Sequence, residues 1–98
     1  MNVDQTLAER GKRYGEFKEH AEVTQNFKKL LFNELSKRGK LLQADQQEAL
    51  DMIFHKIGRI VNGDENFADS WHDIAGYAKL VDDRLSQQPK VPAKKTPR

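Results

Sequence analysis

No cysteine occurs anywhere in this chain. That rules out disulfides and thiolate metal sites, and it fits a reducing compartment. No run approaches the roughly 20 apolar residues that a membrane span requires, and the N-terminal MNVDQTLAERGKR lacks the apolar centre of a secretion signal. No segment alternates apolar and polar residues long enough for a strand. With no strand, there is no glycine-rich phosphate loop to follow one. Ser36, Ser70 and Ser86 stand in no nucleophile–histidine pattern. His20, His55 and His72 lack the HxxxH spacing of a helical zinc site.

What remains is a 98-residue chain rich in charge. It is too short for two cores, so a single domain over residues 1–85 is expected. One core of this size is marginal, which favours pairing into a homo-oligomer. The formal net charge of +2 conceals an asymmetry. Lys90, Lys94, Lys95 and Arg98 supply four of the 17 basic groups, and residues 86–98 hold no acid, which leaves 13 basic against 15 acidic side chains before them. A basic, proline-bearing segment on a slightly acidic body reads as a flexible tail. Four charges without aromatic partners would hold nucleic acid weakly and without sequence preference.

Apolar residues recur at three- and four-residue intervals, which is the helical period. Asp4 is placed to cap a first helix running to Lys12, interrupted by RYGEF. A second helix from Lys18 carries Val23, Phe27, Leu30, Leu31 and Leu35, and ends in SKRGK, where Gly39 suits a left-handed cap. Asp45 with Glu48 resembles a capping box for a third helix. That helix buries Leu50, Ile53, Phe54, Ile57, Ile60 and Val61. A fourth, from Asp69 or Ser70, buries Trp71, Ile74, Ala75, Tyr77, Ala78, Val81 and Leu85. The expected class is all-α, an antiparallel bundle of about four helices.

The polar residues are ordered as well. At about 100° per residue, Glu48, Asp51, His55, Arg59 and Asn62 share one side of the third helix, with Lys56 at its edge. Asp69, Asp73 and Gly76 share one side of the fourth. Either these are solvated faces laced with i, i+4 pairs worth a few tenths of a kcal/mol each, or they converge on a site. Glu19 and Glu22 precede Glu48 and Asp51 in an ExxE…ExxD pattern across two helices. Carboxylate pairs on facing helices can hold Mg2+, which could bind a triphosphate and orient water. Lys56, Arg59 or Lys79 would then meet phosphate oxygens. Gly58 and Gly76 each imply either close helix packing or, at Gly76, room for a ligand beside Asp73.

The segments LAERGKRYGEF, EALDMIFHKIGRIVNGD and DSWHDIAGYAKL resemble a family of small helical proteins encoded by bacteriophages and prophages. That resemblance implies work in the cytoplasm of a bacterial host. More distantly, the layout is similar to the MazG-type all-α nucleoside triphosphate pyrophosphohydrolases. For Mg2+ it implies Glu19 and Glu22 as one ligand pair and Glu48 and Asp51 as the other. The position before the first pair, a glutamate in that family, is Lys18 here.

The leading expectation is a nucleotide-binding protein. Its catalytic candidates are Glu48, Asp51 and Asp73, its ligand-binding candidates Lys56, Arg59 and His55, and its metal candidates Glu19, Glu22, Glu48 and Asp51. If catalytic, it would release pyrophosphate. Two alternatives keep different partners: a non-catalytic sponge for a nucleotide signal, or an inhibitor that binds a host protein through surface near Tyr14, Phe17 and Phe32.

Overall fold

Four helices follow one another in the computed structural model, which describes residues 2–87. They are α1 (Val3–Tyr14), α2 (Phe17–Lys37), α3 (Ala44–Asn62) and α4 (Ala68–Gln87). No strand occurs among the described residues, and the all-α expectation holds. Ser86 and Gln87, expected in the tail, continue α4, while residues 88–98 lie outside the described residues.

Local chemistry sets each boundary. Asn2, rather than Asp4, caps α1: its Oδ1 accepts from the Gln5 amide at 2.8 Å, and Gln5 Oε1 accepts from the Asn2 amide at 2.9 Å. The helix stops at Gly15, whose φ of 78° lies in the left-handed region and whose absent Cβ leaves space for Asn62. Asn62 Nδ2 donates to the carbonyls of Tyr14 (3.2 Å) and Glu16 (3.0 Å), fastening the α1–α2 corner to the end of α3. The Asp64 amide donates to the Arg13 carbonyl at 2.6 Å beside it.

The start of α3 differs from expectation. The helix begins two residues earlier, with Gln43 as N-cap, and Gln46 Oε1 accepts from the Gln43 amide at 2.9 Å. Asp45 therefore lies inside the first turn, and its carboxylate is taken by Arg84 of α4, with Nη2 to Oδ1 at 2.7 Å.

α2 and α4 pack on opposite flanks of α3 and do not touch each other. His20 and Thr24 lie against Gly58, and Phe27 stacks on Phe54 with centroids 5.4 Å apart at 12°. Rising numbers in α2 thus meet falling numbers in α3. The pairs Asp45–Arg84 and Lys56–Asp73 show the same antiparallel sense for α4. The result is a three-helix layer, and the radius of gyration is 17.0 Å, against roughly 13 Å for a compact chain of this length.

The expected core is therefore only half built. Ala49 is the one buried apolar residue among the described residues. Leu50, Ile53, Phe54, Ile57 and Ile60 are half-buried, whereas Val61 is 62 % exposed, Leu30 59 % and Trp71 56 %. The periodicity located the apolar positions correctly. Among the described residues no helix lies across the layer, so these positions are only partly enclosed.

Candidate functional site

α3 is the axis on which the charged groups are arranged. Gly58 and Phe54 meet α2, and Lys56 reaches α4. At about 100° per residue, these contacts fix the two remaining sides of the helix. Glu48, His55 and Arg59 lie on one, while Leu50, Ile57 and Val61 lie on the other. The layer thus has a charged face and an apolar face.

The most unusual contact on the charged face joins two histidines. His20 Nε2 and His55 Nδ1 are 3.2 Å apart, with ring centroids 4.6 Å apart and planes at 82°. A hydrogen bond between two ring nitrogens requires one to donate and the other to accept, so at least one imidazole is neutral. His20 is buried, and its Nδ1 has no hydrogen-bond partner. Burial, then the neighbouring Arg59, pull its pKa down. Burial also dominates at His55, followed by the charges of Arg59, His20, Lys56 and Lys28, and together they lower it to about 4. At neutral pH both rings are uncharged.

Gly58 is what brings the rings together. A Cβ there would lie 2.7 Å from Thr24 Cγ2 and 2.9 Å from the His20 ring. Close packing, the commoner meaning of a helical glycine, is the correct one at Gly58. Gly76 is different, since a Cβ there would meet nothing within 4 Å. It borders an open hollow of about 360 Å³ lined by His72, Asp73, Tyr77 and Leu80.

Around the histidines, Arg59 lies over the Tyr14 ring, 4.0 Å from its centroid, a cation–π contact between α3 and the end of α1. Buried Lys56 donates from Nζ to Asp73 Oδ2 at 3.0 Å. The Lys56 bond holds the Asp73 carboxyl below its usual range. Among the described residues neither Arg59 nor Lys28 takes part in an ion pair.

The expected site residues divide accordingly. His55, Lys56, Arg59 and Asp73 come together. Glu48 stands exposed on the same face, and Asp51 Oδ1 accepts from Gln47 Nε2 at 3.0 Å, not from His55. Glu19 and Glu22 are exposed and separate from that group: with His20 and Thr24 facing α3, Glu22 points away from it, and Glu19 turns toward the apolar side. Among the described residues no group of three or more His, Asp or Glu side chains is placed to hold a metal ion. The ExxE…ExxD spacing gave each pair a common face on its own helix, but the rotation of α2 about its axis separates the pairs. Lys79 is engaged by Asp83, one turn along its own helix, at 2.9 Å.

Sequence reasoning missed His20 and the stacking role of Tyr14. The signal for His20 was present, because it begins the stripe His20, Thr24, Phe27, Leu31 at helical spacing. No helix among the described residues is long and apolar enough to cross a membrane.

One family model, that of the domain of unknown function DUF6378, matches residues 3–85, and the chain belongs to that family. No curated protein and no solved structure matches it.

Proposed function

We propose that this member of the DUF6378 family binds a phosphate-bearing ligand, a nucleotide being the best-fitting class, on the charged face around His55 and Arg59. The observation that carries this reading is the set of positive groups bearing on one ring: Arg59, Lys56 and Lys28 each depress the His55 pKa. Of the three, Lys56 alone is neutralised by a carboxylate among the described residues. A bound phosphate would relieve that excess of positive charge, with the Arg59 fork as its anchor. Tyr14 holds the guanidinium from behind, and the neutral histidines can donate ring N–H groups without adding charge.

The residues do not fit a magnesium ion within one copy of the chain. Asp73 is held by Lys56, and Glu19 and Glu22 lie apart from Glu48 and Asp51. No hydrolytic step is derived through a metal, and binding without turnover is the reading the arrangement supports. The ligand class also follows the resemblance of the sequence to MazG-type enzymes, and an infected bacterial cell as the place of work follows its resemblance to phage-encoded proteins.

Titration with nucleoside triphosphates, followed by calorimetry and by the His55 ring resonances, tests the proposal. Binding should raise the His55 pKa, because an anion favours imidazolium. Arg59→Ala should weaken affinity about 10- to 100-fold, the range for a charge-assisted contact. Recovery of intact triphosphate after denaturation would mark a sponge, and monophosphate plus pyrophosphate an enzyme. No heat and no resonance shift with any triphosphate at millimolar concentration would end the proposal.

A further inference from the structure

We infer that the apolar face of the α2–α3–α4 layer is the contact surface for a second copy of this chain, packed face to face as a homodimer. The face comprises Val23 and Leu30 of α2, Leu50, Ile57 and Val61 of α3, and Trp71 of α4. The contacts that orient the helices place all six on the side opposite His55 and Arg59. No charged residue lies among them on α3: rotating about 100° per residue from Ile53 through Ile57 and Leu50 to Val61 meets Gln46 and no ionisable group. On α2, Glu19 lies on this side in the first turn and the Glu34–Lys37 pair (Nζ to Oε2 at 3.0 Å) in the last, so the ionisable groups stand at the two ends, where a polar rim belongs.

Size supports the same occupant. Helices of 19 to 21 residues are about 30 Å long, and three of them side by side at about 9 Å spacing present on the order of 800 Å². That is the area each partner contributes to a stable interface. A transient partner of another kind would leave the chain without a core between encounters, since Ala49 is its one buried apolar residue among those described. The cover is needed for folding itself and must be present wherever the chain is. A second copy meets that condition, and a two-fold axis lets the same face, uncharged along α3, serve both partners.

The test is the mass of the full chain in solution, measured by sedimentation across a concentration series, together with thermal unfolding at the same concentrations. The expected mass is twice the 11.3 kDa of one chain, with a melting temperature that rises with concentration. Leu30→Glu and Val61→Glu change residues already exposed in the single chain, so neither has reason to unfold it alone. Each should weaken association at least 100-fold, because the symmetry introduces the charge twice. Phe32→Glu, at an exposed position on another side of α2, should leave the mass unchanged. A folded monomer whose melting temperature is independent of concentration would overturn the inference. So would a dimer that survives Leu30→Glu and Val61→Glu but is lost in Phe32→Glu. Capture of a different protein by a chain that stays monomeric would overturn it as well.

Discussion

The two faces of α3 are built from one helix yet reach opposite states of completion. On the charged face, His55 meets His20, Arg59 lies on Tyr14, Lys56 holds Asp73, and Asp45 takes Arg84. On the apolar face Val61 is left open, as are Leu30 on α2 and Trp71 on α4. A polar contact needs only one correctly placed partner, whereas an apolar side chain needs to be surrounded. Three helices in a layer can satisfy the first requirement and not the second.

Ile57→Ala tests that contrast most severely. If a second copy covers the face, the loss should be about 2 to 4 kcal/mol, as for a filled core position. If the face stays open, roughly 1 kcal/mol is expected from the smaller area buried. Chemical denaturation at fixed protein concentration separates the two, and the larger loss is the expected one.

Gly58→Ala should come next, at about 2 to 3 kcal/mol. The added methyl meets Thr24 and the His20 ring at distances that force α2 away from α3. The His20 and His55 resonances should move with it, while a Gly→Ala change elsewhere on the helix would leave them in place.

Acid should act on the charged face before it acts on the apolar one. Both histidines have folded pKa values below the unfolded value, so the unfolded chain binds more protons between those limits. The stability they contribute is present above about pH 6.5 and is lost as pH falls toward about 4 for His55. Allowing for solvent screening at this partly open site, the loss should be about 1 to 2 kcal/mol. His55→Gln should flatten the pH dependence of the denaturation midpoint over that window.

The smallest effect is expected to be a gain. Gly76→Ala adds a methyl group where nothing lies within 4 Å, so it should stabilise α4 by about 0.5 to 1 kcal/mol. A gain in stability accompanied by weaker ligand binding would show that the hollow beside Asp73 belongs to the binding face.

Much of this was legible residue by residue. The basic ending SKRGK forecast the turn at Gly39, whose φ is 61°. RYGEF forecast the break after α1, and the three- and four-residue spacing located the apolar stripes. Asp45 was misread because a carboxylate near a helix start serves a cap or a cross-helix ion pair equally well, and only the approach of Arg84 decides between them. The carboxylates Glu19 and Glu22 were misplaced for a related reason. Spacing shows that two residues share a face of their own helix, but not where that face is turned.

The amino-acid order by itself determined four helices, their approximate extents, and which positions on each are apolar or charged, because glycines and periodicity act within a few residues. Tertiary structure alone decided that α2 and α4 flank α3 without meeting, that His20 reaches His55, and that the carboxylates disperse. Those outcomes depend on the rotation of each helix about its axis, which is set where side chains from distant segments compete for the same space.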